Sequence, residues 1–263
     1  MAAKEKQLVP VALVFDTETG GLKCQECGVC QICMHSVRLD TFERTGSFNV
    51  YIKPYNRKDG IVKPAKKRGL KTKYEIEDEQ TGVGELMVYD KKAEEVHGLS
   101  LEFLRNNGLD MMDAANQLVE FVKGVKISDG PKGKPFLIGQ NVLFDIGMIE
   151  QFLEYAGLWG DFCKLIQGSV DFYGKFQPLI LDTMTLGYLA FCNTNITSYS
   201  LGMLCEAVGI EIDDAHDADS DVTATEDIVR IMTTRMRNGG GDDDESAGLV
   251  ANKQEKKRVH FKI

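Results

Sequence analysis

The stretch Leu8-Val9-Pro10-Val11-Ala12-Leu13-Val14-Phe15-Asp16-Thr17-Glu18-Thr19 is an apolar run that ends abruptly in two acids. Such a run without polar alternation reads as a strand buried on both faces, the pattern of a central strand. Side chains two apart on a strand share a face, so Asp16 and Glu18 project together from its end. Two carboxylates so placed repel unless a cation lies between them. By itself Asp-x-Glu also fits an ordinary strand-to-loop transition. Its meaning depends on what else the chain brings to that end.

Working outward, residues 37–42 and 47–54 are expected as two more strands, turning at Arg44-Thr45-Gly46 to form an antiparallel hairpin beside the first. Ser100 is suited to cap a helix. Its apolar face begins at Phe103 and Leu104 and recurs through Met111, Met112, Ala115, Leu118, Val119 and Val122 until Gly124. Residues 135–139 give a fourth strand and 142–156 a helix; 179–181 give a fifth strand leading into Asp182-Thr183 and another helix. Helices at 199–208 and about 219–236 follow. A hairpin followed by alternating helices and strands implies an α/β fold, a mixed five-stranded sheet with helices on both faces.

The chain of 263 residues has 43% hydrophobic residues, enough for one substantial core in a domain spanning 1–237. Residues 55–95 are charged and weakly patterned, and read as an insertion. Its basic block at 57–73 fits a solvated loop better than a DNA-contacting arm. Residues 238–263 begin with Asn238-Gly239-Gly240-Gly241 and three aspartates, and close on a basic stretch at Lys256-Lys257-Arg258, as a flexible linker and tail would. The last residues, 258–263, alternate in character and suit pairing or docking onto a partner. No segment has the apolar length of a signal peptide or a membrane span, so a cytoplasmic protein is expected, with no membrane partner. The net charge of −9 does not exclude nucleic acid, because charge acts locally and a divalent-metal site itself requires carboxylates.

Further acids stand at element ends. Asp145 falls in the first turn of the helix after the fourth strand, where an acid also suits the helix dipole. Its neighbours Phe144 and Ile146 place it close to the apolar face. His216 and Asp221 are five residues apart, about 140° around an ideal helix, so they cannot share a helical face. If both serve one site, His216 lies in the loop leading in and Asp221 in the first turns, with Asp219 or Ser220 as cap. An EF-hand reading of Asp217-x-Asp219-x-Asp221 fails, since Val222 and Ile228 stand where Gly and Glu are required.

In order along the chain, the motifs are Phe15-Asp16-Thr17-Glu18-Thr19-Gly20-Gly21-Leu22, Val96-His97-Gly98-Leu99-Ser100, Gly139-Gln140-Asn141-Val142-Leu143-Phe144-Asp145-Ile146, Leu181-Asp182-Thr183, Tyr199-Ser200-Leu201 and His216-x4-Asp221. This set resembles the DnaQ-like, DEDDh-type 3′→5′ exonucleases of the ribonuclease H-like fold, over about residues 9–236 apart from the insertion. The resemblance implies that Asp16, Glu18, Asp145 and Asp221 hold two Mg²⁺ or Mn²⁺ ions and that His216 is the general base. It also implies that Leu22 wedges near the last base and that the backbone around Thr17 and Thr19 lines the 3′-nucleotide pocket. His97, Gln140 and Asn141, in the matching stretches, are expected beside substrate. Gln140 stands where many members have His, which implies an altered supporting contact. The chemistry agrees independently. Two hard cations stabilise the attacking and leaving oxygens of a phosphodiester, and a histidine takes the proton of water near neutral pH.

Cys24-x2-Cys27-x2-Cys30-x2-Cys33, with His35 just beyond, follows the first motif directly. The exonuclease pattern has no such cluster. Its spacing predicts a metal-binding loop at 23–35, with a structural zinc held by four thiolates. An iron–sulfur cluster is the alternative, although the last gap is short for one.

The expected activity is release of nucleoside monophosphates from DNA 3′ ends, single-stranded DNA favoured, as in proofreading for a DNA polymerase. A polymerase or clamp would be tethered through the C-terminal tail. The rivals are an RNA-trimming enzyme of the same family, an inactive nucleic-acid or polymerase-docking module, and a metal-cluster redox protein resting on the four cysteines alone.

Overall fold

The computed structural model describes residues 9–57, 84–211 and 217–238. Five strands form one mixed sheet: β1 (Val11–Thr19), β2 (Val29–Arg38), β3 (Arg44–Tyr51), β4 (Phe136–Gly139) and β7 (Ile180–Asp182), in the order β3-β2-β1-β4-β7. β1 runs antiparallel to β2, in register from Val11 opposite Arg38 to Asp16 opposite Cys33, with an irregularity between Glu18 and Thr19. β4 lies parallel to β1 and β7 parallel to β4. The strand that leads into Asp16 is therefore central, as its unbroken apolar run requires.

The two faces of β1 go to two cores. Leu13 and Phe15 pack with Leu118 and Val122 of α3 (Met111–Val125), Phe152 of α4 (Val142–Ala156) and Phe162 of α5 (Trp159–Leu165). Ala12 and Val14 pack with Leu186 of α6 (Thr183–Phe191), Leu204 of α7 (Leu201–Val208) and Val222 and Ile228 of α8 (Ala218–Asn238). Helices thus cover both faces, as expected. Each fully buried Phe or Leu contributes on the order of 1.5–3 kcal/mol. Among the described residues, no helix is long and apolar enough to cross a membrane.

Four sequence expectations change. The segment taken as a cysteine-rich loop at 23–35 is a strand from Val29 onward, and β2 is buried along nearly its whole length, cysteines included. Its partner β3 begins at Arg44, so the hairpin turns earlier than the Arg44-Thr45-Gly46 reading. The helix expected to run from Ser100 to Gly124 is two, α2 (Leu101–Asn107) and α3, and α3 continues through Gly124. They separate at Gly108, where a Cβ would lie 2.5 Å from the Lys53 backbone nitrogen. A small hairpin, β5 (Gly168–Val170) with β6 (Phe176–Pro178), and α5 were not anticipated.

The insertion is narrower than 55–95. Residues 58–83 lie outside the described residues, but the flanks are integrated into the fold. Val29 N–H donates to the Tyr55 hydroxyl, which donates to Gln151 Oε1. Met87 is buried beside Gln151, and α1 (Lys91–His97) follows. The tail at 239–263, with its expected terminal strand, lies outside the described residues.

Candidate active site

Asp16 and Glu18 project from β1 on the face covered by α8, because they continue the alternation of Ala12 and Val14. Asp221 comes from the first turn of α8, seated by the buried Ala218 and Val222 on either side. One carboxylate oxygen from each of Asp16, Glu18 and Asp221 lies within 4.8 Å of the others. The cap of α8 is Asp217 rather than Asp219 or Ser220: its carbonyl accepts from Asp221 N–H at 3.0 Å and its carboxylate from Ser220 N–H at 3.4 Å.

Asp145 arrives from α4. Its Oδ1 accepts from Thr17 N–H at 3.1 Å and from the Thr17 hydroxyl at 2.6 Å, which binds the buried carboxyl to the same strand end. Asn141 is the residue before α4, with φ 54°, and its side chain makes no capping bond. Asp182 takes that role, accepting from Asn141 and Val142 N–H and, as the cap of α6, from Met184 N–H at 2.8 Å. One carboxylate thus joins the starts of two helices at the C-terminal ends of β4 and β7.

The electrostatics follow from this crowding. Burial, then the charges of Asp145 and Asp221, push the Asp16 carboxyl well above the ordinary carboxylate range. Burial, then Asp16, Asp221 and Asp217, raise Glu18 to about 8. Burial raises Asp145 to about 7 against the two Thr17 hydrogen bonds. The cluster sets like charges against one another, and protons or a metal ion relieve that repulsion. The donors are all carboxylate oxygens, the set that hard divalent ions such as Mg²⁺ and Mn²⁺ take. The chemistry of the residues fits the ions expected from the sequence.

Other expected site residues lie nearby. Thr17 and Thr19 are buried in β1, and the Thr19 hydroxyl donates to the Gly21 carbonyl. His97 Nδ1 accepts from Leu99 N–H, so its Nε2 carries the proton and donates to the Thr19 carbonyl at 3.2 Å. Leu22 is 87% exposed just past the strand. The turn that presents it is held tightly: Asp90 N–H donates to the Gly20 carbonyl, and a Cβ on Gly20 would lie 2.2 Å from the Val88 oxygen. Gln140 is engaged on both sides, donating to the Tyr199 carbonyl at 2.8 Å and accepting from the Thr183 hydroxyl. It ties the end of β4 to α6 and to the approach to α7. His216 lies outside the described residues.

The four cysteines do not gather. No three of their sulfurs lie within 4.8 Å of one another. Cys30 falls at the irregularity where Glu18 pairs with Gln31 and Thr19 with Val29, whereas Cys33 stands opposite Asp16. Cys27 belongs to one core and Cys33 to the other, while Cys24 rests against the Phe144 carbonyl at 3.7 Å. Burial also raises the Cys30 and Cys33 thiols, against the thiolate form. This geometry corrects the expectation of one ion, zinc or iron–sulfur, held by Cys24, Cys27, Cys30 and Cys33.

Sequence reasoning missed a second polar group on the α8 face. His35 is fully buried, with Nδ1 2.9 Å from Glu226 and Nε2 3.0 Å from Asp219. Arg44 reaches the other oxygen of Glu226 at 2.8 Å. The signal was the one-residue spacing of Cys33 and His35, legible only once that segment is read as a strand.

No protein-family model matches the sequence, and neither does any curated protein sequence. Solved structures of exonuclease I share its fold. One, described as suggesting how processivity is achieved, has a TM-score of 0.59 at 18% identity, covering 87% of this chain and 42% of that one. The Escherichia coli enzyme in complex with a dT13 oligonucleotide gives 0.57 at 18% identity, over 87% and 42%. Its zinc-bound complex with single-stranded DNA gives 0.56 at 19% identity, over 86% and 41%. This chain spans about two fifths of the length of those it matches, and at such identities the likeness is one of fold. The sheet and its helices therefore share the fold of exonuclease I.

Proposed function

We propose that the chain is a metal-dependent 3′→5′ exonuclease that hydrolyses single-stranded DNA from its 3′ end and releases nucleoside monophosphates. The observation that carries this reading is the convergence of Asp16, Glu18 and Asp221, from two elements distant in sequence, within 4.8 Å of one another. A folded protein retains such a cluster of like charges at an energetic penalty unless it holds cations. Asp145, anchored by Thr17, is the fourth acid of the set.

In this reading Asp16, Glu18, Asp145 and Asp221 hold two Mg²⁺ or Mn²⁺ ions. When bound, the ions supply Lewis-acid stabilisation of the charge that develops on the attacking and leaving oxygens. The protein's own groups do the rest. His216 accepts the proton of the attacking water. The Thr17 and Thr19 backbone lines the pocket of the terminal nucleotide, with His97 fixing the Thr19 carbonyl. Exposed Leu22 packs against the last base and separates it from its neighbour. Gln140 and Asn141 act beside substrate by holding the β4 end in place. DNA is favoured over RNA because the solved exonuclease I structures of this fold include DNA-oligonucleotide complexes.

The proposed catalytic domain is 1–237. The tail at 238–263 is proposed as a tether to a DNA polymerase or clamp, placing the activity in proofreading. Digestion of 3′- and 5′-labelled DNA and RNA with Mg²⁺ tests the reading, comparing wild type with Asp16→Ala and His216→Ala. Stepwise loss from the 3′ end of DNA, abolished in both variants, is expected. Unchanged activity in Asp16→Ala refutes the mechanism, and preferential digestion of RNA moves the assignment to RNA trimming.

A further inference from the structure

Cys33 and His35 lie two apart on β2 and so present their side chains to the same face, the one covered by α8. Asp219, in the first turn of α8, meets both. The Cys33 sulfur is 3.5 Å from Asp219 Oδ1 and 3.7 Å from His35 Nε2, and Nε2 is 3.0 Å from the same Oδ1. Bonds of about 2.3 Å to sulfur and about 2.0–2.2 Å to nitrogen and oxygen, set tetrahedrally, separate such ligands by roughly 3.3–3.6 Å. The observed triangle is close to one face of that tetrahedron.

The surroundings favour a metal as well. Glu226 Oε1 stands 2.9 Å from His35 Nδ1, the carboxylate–histidine arrangement that fixes the ring of a metal-bound imidazole and points its other nitrogen at the ion. Arg44, at 2.8 Å from Glu226, balances that carboxylate. A thiolate from Cys33 and the Asp219 carboxylate would then neutralise a divalent ion. Cys33 and His35 are fully buried, whereas the Asp219 side chain is 46% exposed, which leaves the fourth position on the solvent side. The competing arrangement is a His35 imidazolium bridging Asp219 and Glu226, in which the Cys33 thiol has no required part.

We propose that Cys33, His35 and Asp219 bind a zinc ion that clamps the start of α8 to β2. Its location gives it consequence: Cys33 is the register partner of Asp16, and Asp219 lies two residues before Asp221. The ion would hold two of the clustered acids in their mutual positions. The site is separate from the carboxylate cluster and does not rest on the exonuclease reading.

Cobalt substitution of the full chain tests it, with excess Mg²⁺ present to fill the carboxylate cluster. One equivalent of Co²⁺ is expected to give tetrahedral d–d bands and a sulfur-to-cobalt charge-transfer band of single-thiolate intensity, displaced by one equivalent of Zn²⁺. Cys33→Ser is expected to remove the charge-transfer band, Cys24→Ser and Cys30→Ser to keep it, and Glu226→Gln to weaken zinc binding by about 10–100-fold. No sulfur-to-cobalt band in the wild type overturns the proposal. So does a band of four-thiolate intensity, or one that survives Cys33→Ser. Should Cys33→Ser fail to fold, X-ray absorption of the zinc-loaded wild type decides the same question: one sulfur among nitrogen and oxygen ligands is expected, and no sulfur or several sulfurs overturn the proposal. Because none of these readouts uses substrate, their failure is distinguishable from failure of the nuclease assignment.

Discussion

In chelator, Glu18 should make the protein less stable as the pH rises, and Glu18→Gln should remove that loss. Its carboxyl is raised from the ordinary 4.5 to about 8 in the folded protein, by burial and then by Asp16, Asp221 and Asp217. Below about pH 4.5 the group is protonated in both states and its favourable contribution is complete. Between there and about 8 the unfolded chain releases the proton while the folded one retains it. Stability therefore falls with rising pH across that window. Every pH unit of that window crossed costs at most about 1.36 kcal/mol, and partial exposure and coupling to the neighbouring acids reduce the total to on the order of 3 kcal/mol. For a domain of this size that is about 6–12 °C in Tm. Thermal unfolding of wild type and Glu18→Gln, measured in chelator from pH 5 to 8.5, reads the effect of Glu18 together with its coupling to the neighbouring acids. The variant should match the wild type near pH 5 and exceed it at pH 8. Saturating Mn²⁺ should reverse the order at pH 8, because the wild type keeps the ligand. Parallel curves across the pH range, or a variant less stable in chelator at pH 8, would refute the account of the site as a cation-seeking cluster.

Thr17→Val removes the 2.6 Å hydrogen bond to Asp145 and retains the backbone one at 3.1 Å. A hydrogen bond to a charged group is worth about 1.5–3 kcal/mol, so Mn²⁺ affinity by calorimetry should fall by roughly 10–100-fold. Asp182→Ala unsatisfies the starts of α4 and α6 together and should lower stability by about 1–2 kcal/mol in urea titration. Leu22→Ala, at a position 87% exposed, should leave Tm within about 1–2 °C while slowing removal of the 3′-terminal nucleotide; a large fall in Tm would place Leu22 in the fold instead.

Much of the architecture was written locally. The run Val11–Phe15 could only be a strand covered on both faces, and the apolar spacing of 142–156 marks α4 as found. The order of acids along the chain also placed Asp16, Glu18, Asp145 and Asp221 at element ends. Period-2 geometry on its own put Asp16 and Glu18 on one face.

What the chain's local pattern did not carry is register. Four evenly spaced cysteines look like one ligand set as long as they occupy a loop. Once Val29–Arg38 pairs with β1, Cys33 lies opposite Asp16 and Cys30 falls at the irregularity between Gln31 and Val29. Cys27 and Cys33 enter different cores, so even spacing in sequence does not bring the sulfurs together. Likewise, that Asp221 meets Asp16, that Thr17 holds Asp145 across 128 residues, and that His35 lies between Asp219 and Glu226 all depend on how helices seat on the sheet. Those meetings are products of long-range packing in two separate cores. The sequence by itself determined which acids were available and that their strand was central. Tertiary structure alone decided which of them share a cation's reach, and which cysteine stands beside them.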